Sequence, residues 1–126
     1  MELKTILHWI SFAVYCYIFG YAGLYKIIKV PGMMQGMESM GFGTDATVLI
    51  GWAETIGVLG LIAGIFVPVV KPLAVLWLWP FAIGALTTHF SYHHPFSEYL
   101  NALLVCIMPV ILLITDRHFR VILTNT

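Results

Sequence analysis

The chain has 126 residues, of which 60% are hydrophobic and 10% charged, against about 45–50% and about 25% in an average soluble domain. A domain of this size buries only about two thirds of its unfolded surface, so in water this composition would leave large apolar patches exposed. Six basic and six acidic residues cancel to a formal net charge of zero, which removes the electrostatic case for a nucleic-acid partner and leaves the lipid bilayer as the expected surroundings.

A helix rising ~1.5 Å per residue needs about 20 residues to cross ~30 Å of hydrocarbon. Segments 5–25, 47–67, 73–92 and 99–115 meet that requirement. The expected fold is therefore an all-α membrane protein: a four-transmembrane-helix bundle, with a short interfacial helix between helices 1 and 2. The first apolar run is longer than a signal-peptide core and has no small-x-small pattern after it, so no cleavable signal peptide is expected.

After the first span comes the one long connection, residues 28–46. Its Met33, Met37 and Met40 recur at i, i+4 and i+7, the pattern of a short amphipathic helix that would lie over the bundle as a flexible apolar lid. Methionine also binds Cu(I), a less common use of such a stripe. Pro68, Lys71 and Pro72 mark a tight turn between the second and third spans. Pro80 and Pro109 fall inside the third and fourth spans and are expected to kink them. With no repeat or linker, residues 1–126 read as a single transmembrane domain.

Lys4, Lys71, Arg117 and Arg120 lie on one side of this topology, whereas Lys26 and Lys29 lie on the other with Glu38, Asp45 and Glu98. By the positive-inside rule both termini are expected to face the cytoplasm.

The stretch GWAETIGVLGLIAG, residues 51–64, carries one acid in an otherwise apolar helix. Exposed to lipid, Glu54 would cost on the order of 2.5–3.5 kcal/mol. At 100° per residue, Gly51, Gly57, Leu61 and Gly64 share its face, and small residues mark the face on which helices approach closely. Glu54 should point inward. The same spacing places Ala85 and Ala82 beneath His89. Lys26 leaves the first span and Asn101 enters the fourth at a similar depth, so four polar residues from four helices converge on the outer half. They form either an interhelical clamp or a polar pocket, in which Glu54 and His89 handle protons or hold a head group. A pocket walled by Tyr21, Tyr25, Trp52 and Phe90 would suit an amphiphile such as a quinone.

His89 and His93 lie one helical turn apart with His94 adjacent, so two imidazoles could share a metal. No Glu follows His89 as in the metalloprotease motif, and Pro95 signals the end of the helix; a bound metal is not expected. Cys16 and Cys106 fall at comparable depths without a CxxC motif and read as apolar filling. No nucleophile elbow or phosphate loop occurs, so no self-sufficient catalytic motif is present.

The segments FGYAGLYKI at 19–27, MESMGF at 37–42, IGWAETIGVLGLIAG at 50–64, His89 and NALL at 101–104 together resemble DoxX-like membrane proteins. The resemblance carries the family pattern onto Gly23 and Lys26, then Glu54 with Gly60 and Gly64, then His89 and Asn101. It implies a four-helix integral protein, in bacteria of the inner membrane. Some members are linked to quinone-coupled sulfur oxidation or membrane redox complexes, and eukaryotic relatives include assembly factors. Two readings follow. One is an accessory subunit of a membrane redox system whose outer-side pocket takes a quinone or similar amphiphile. The other is an assembly or scaffold protein for a client membrane protein, with Gly20, Gly60 and Gly84 lining grooves outside the bundle. Transport through a dimer is a third, less favoured use.

Overall fold

A computed structural model describes residues 2–116. Its elements are α1 (Leu3–Ile27), α2 (Pro31–Ser39), α3 (Thr44–Phe66), α4 (Val70–Ser91) and α5 (Phe96–Thr115). All but α2 are long and apolar enough to cross a membrane. In the ring they form, α1 packs on α3, α3 on α4, α4 on α5 and α5 on α1, while α2 rests against α1 and α3. The long helices extend the sequence-based spans by two or three residues at every N-terminus and at the end of α1, while α3 and α4 stop one residue short, and Met33 and Met37 of the expected methionine stripe lie within α2. Arg117 and Arg120, on which the expected orientation partly rests, lie outside the described residues.

The core follows from which faces are small or aromatic. Tyr15, Leu61, Leu78, Val75 and Leu112 are fully enclosed, whereas Leu49, Tyr17, Phe66 and Leu73 point outward. An apolar outer surface is the arrangement expected of a lipid-facing bundle. Tyr15 reaches across the ring and its hydroxyl donates to the Val75 carbonyl at 3.1 Å. Trp77 donates to the Ala53 carbonyl at 2.9 Å and Trp79 to that of Cys106 at 3.1 Å. Such bonds in membranes average only ~0.6 kcal/mol, but each fixes which helix meets which. The helices α4 and α5 run on through Pro80 and Pro109. Lys71 and Pro72 belong to the first turn of α4 and not to the connecting turn, because a helix start has free N–H groups anyway and so tolerates proline.

Three helices stop in the same way at one end of the bundle. Backbone N–H groups of Val30, Phe42 and His94 donate to the carbonyls of Tyr25, Met37 and His89, each five residues back. The residue before each donor, Lys29, Gly41 or His93, is left-handed, with φ of 59°, 88° and 55°. This is the Schellman closure, which satisfies the last carbonyls and turns the chain back over its own helix. A methyl group on Gly41 would lie 3.4 Å from the Tyr92 hydroxyl, so the α2–α3 and α4–α5 turns are neighbours. We call this the α2 end; the opposite end holds the start of α1 and the α3–α4 turn.

Candidate functional site

At the α2 end, α1 and α3 meet backbone to backbone. A methyl group on Gly23 would lie 3.0 Å from the Gly51 carbonyl, and one on Gly51 would lie 2.6 Å from Lys26 Cβ. A side chain at either position would press into the facing helix, so the two glycines allow the approach that places the Lys26 stem directly over α3. Lys26 Nζ then donates to Glu54 Oε1 at 2.6 Å. Both residues are buried, at 7% and 4% exposure. The buried face of α3 comprises Thr47, Gly51, Glu54, Gly57, Leu61 and Gly64, the face that the small-residue spacing indicates.

Beside the pair lies a cavity of about 430 Å³, lined by Lys26, Glu54, His89, Glu98 and Asn101 together with Tyr21, Tyr25 and apolar residues of α1, α4 and α5. Met33, Met37 and Met40 of the α2 region form part of its wall. A smaller cavity of about 240 Å³ touches the same lysine and glutamate and extends along Ile50, Pro80 and Gly84. The ion pair thus stands in the wall common to both. Of the four polar residues expected here, Lys26 and Glu54 bond each other, while His89 and Asn101 reach the cavity from α4 and α5.

Several sequence expectations need correction. Trp52 and Phe90 are 53% and 52% exposed and lie outside the cavity lining. Each follows or precedes an inward residue by one or two positions, and about 100° per residue turns it outward; Phe90 packs edge-on against Tyr99 instead. His89 and His93 do not share a helical turn, because α4 ends at Ser91 and His93 takes the left-handed position of the closure. The reversal delivers His94 instead, with its Nδ1 2.8 Å from His89 Nδ1. Among the described residues no group of three or more His, Cys, Asp or Glu side chains is arranged to hold a metal. Gly20 and Gly60 face Val58 and Ala74 within the bundle, not an outside groove; Gly84 has open space around it and lines the smaller cavity.

A second polar group, invisible to the sequence argument, closes the opposite end. His8 is buried, and its Nδ1 lies 2.7 Å from Thr115 Oγ1. Lys71 Nζ lies 3.7 Å from Asp116 Oδ2 and 4.7 Å from the centre of the Trp9 ring. Here too a glycine meets a lysine: a methyl group on Gly64 would lie 2.5 Å from Lys71 Cβ. That repeated glycine–lysine contact is the signal that could have located the group from sequence, since Gly64 and Lys71 flank one turn.

No curated protein and no solved structure matches the chain. A family model does, over residues 10–112, which take in α3 and α4 whole, most of α1 and α5, the glycine-backed ion pair and the residues lining the cavity. With four apolar helices enclosing that polar set, the chain is a small integral membrane protein and belongs to the DoxX-like family.

Proposed function

We propose that the protein is an accessory subunit of a membrane redox system, and that the cavity at its α2 end receives the head group of a quinone or similar amphiphile. The observation that carries this reading is the chemistry of the cavity wall. Lys26, Glu54, His89, Glu98 and Asn101 bring polar groups from four helices to a space of about 430 Å³ whose remaining lining is aromatic, aliphatic, thioether and glycine. Ligand pockets have this make-up, with few polar groups to orient a head group and apolar surface for the rest. Any redox partner would supply or remove electrons, while Glu54 and His89 would hold or exchange protons. In this reading the α2 end faces the outer side of an inner membrane and both termini the cytoplasm, as Lys4 and Lys71 at the opposite end favour.

Titrating the purified protein in lipid nanodiscs with a short-chain quinol tests the reading. Asn101→Leu removes one cavity-facing polar group without touching the ion pair, and is expected to weaken binding about tenfold, the equivalent of ~1.4 kcal/mol. Absence of binding, or equal binding by both proteins, contradicts it. The alternative of an assembly factor with a purely structural polar cluster is favoured by one observation: Lys26 and Glu54 satisfy each other at 2.6 Å with no ligand needed. It predicts co-purification with a client membrane protein that Asn101→Leu leaves intact.

A further inference from the structure

The closure of α4 does more than end a helix. In a Schellman motif the residue after the left-handed position folds back on the residue five before it, and an apolar contact usually fills that place. In this chain the two positions are His94 and His89, and they meet nitrogen to nitrogen, Nδ1 to Nδ1, at 2.8 Å. A contact this short between two ring nitrogens requires that one donate and the other accept, so the two rings share one proton between them and cannot both be cationic. His89 lines the cavity. With its Nδ1 engaged, Nε2 is the nitrogen left for a ligand.

The state of Nε2 is then set by His94. When His94 Nδ1–H donates, neutral His89 carries its proton on Nε2 and offers a ligand a donor. When His89 Nδ1–H donates, Nε2 is bare and offers an acceptor. Resting on the reading of the cavity as a binding site, we propose that His89 and His94 form a switchable donor–acceptor pair, which fits the cavity to ring head groups bearing either a carbonyl or a hydroxyl and lets it exchange a proton with them. The exchange balances without electron transfer. The ligand O–H bond breaks as an N–H bond forms at His89 Nε2, the His89 Nδ1 proton crosses to His94 Nδ1, and the His94 Nε2 proton leaves to water.

The charged groups that face the pair and the cavity are Glu98, Lys26 and Glu54. Glu98 Oε2 lies 3.6 Å from His94 Nδ1, and Glu98 also lines the cavity, so a carboxylate stands at the His94 side of the proton path. Lys26 and Glu54 bond each other, and Lys26 still lines the cavity in which the deprotonated ligand would sit. His94 touches no ligand and acts through His89, so it is a positioning residue.

The test is His94→Ala, read in two ways. In ¹⁵N spectra of the full-length protein with labelled histidine and no ligand, the variant is expected to shift the Nδ1 and Nε2 resonances of His89 to a different tautomer balance; unchanged resonances would overturn the pair. In binding, a short-chain quinol is compared with its dimethyl ether, which offers no hydroxyl proton. The wild type should favour the quinol, and His94→Ala should reduce that preference about tenfold while leaving the ether unchanged. A preference that the variant preserves overturns the proposal. If neither compound binds the wild type, the cavity reading fails, and the spectra still decide whether the histidines are coupled.

Discussion

The two ends of the bundle are built on one device and finished differently. At each end a glycine of α3 presses against the stem of a lysine on a neighbouring helix, Gly51 on Lys26 and Gly64 on Lys71. At the α2 end the lysine meets a glutamate at 2.6 Å beside an open cavity. At the other end the lysine lies against Trp9 and Asp116, and His8 reaches Thr115, so polar and aromatic side chains stop the bundle. Between them Tyr15, Leu61, Leu78 and Leu112 leave no exposed surface. The difference teaches that a buried charge here is not itself the sign of a site: both cavities described stand beside Lys26 and Glu54, while among the described residues Lys71 packs against Trp9 and Asp116.

The largest expected effect comes from splitting the tighter ion pair. Glu54→Gln leaves a buried ammonium without its carboxylate, and breaking such a pair costs about 3–5 kcal/mol. The double variant Lys26→Met with Glu54→Leu should recover most of that stability, since apolar replacement of a buried pair is often neutral. Asp116→Asn at the other end should cost less, because the Lys71–Asp116 contact is 3.7 Å and Lys71 keeps the Trp9 ring. Denaturant titration in mild detergent ranks these variants; equal losses from Glu54→Gln and Asp116→Asn would erase the distinction between the ends.

A smaller effect tests the shared device. Gly64→Ala forces a methyl group to within 2.6 Å of the Lys71 Cα, an overpacking expected to cost about 1–3 kcal/mol. Gly84→Ala, with nothing within 4 Å, should instead gain up to about 1 kcal/mol from helix propensity. Thermal unfolding should therefore move in opposite directions for the two substitutions. The smallest change is Thr115→Val, which removes the partner of His8 Nδ1 and should cost about 1 kcal/mol, without altering quinol binding at the far cavity.

The spans were legible because length and hydropathy leave few alternatives for a chain this apolar. The inward face of α3 was legible because Gly51, Gly57 and Gly64 recur with helical period around Glu54, so the acid's direction came from its neighbours. Lys26, His89 and Asn101 could be placed near the same level by helical rise alone. Their exact partners could not: the His89–His94 contact depends on a left-handed residue at His93, a position usually taken by glycine, and no local signal marks it. His8 lies in a run without a small-residue stripe to give its direction, and Asp116 follows the last helical residue. Both owe their burial to the way the helices close on one another, which periodicity within one helix does not report.

The central claim, that one end is open to ligand and the other sealed, is tested most directly by cysteine reactivity. In a protein with Cys16 and Cys106 replaced by alanine, single cysteines are introduced at Ala85, which lines both cavities, and at Ala74, which is buried near the sealed end. The rate of modification by a small methanethiosulfonate is then measured with and without the short-chain quinol. The account predicts that Ala85→Cys reacts at least tenfold faster than Ala74→Cys and is slowed by the quinol; similar rates at the two positions, or no protection at Ala85→Cys, would contradict it.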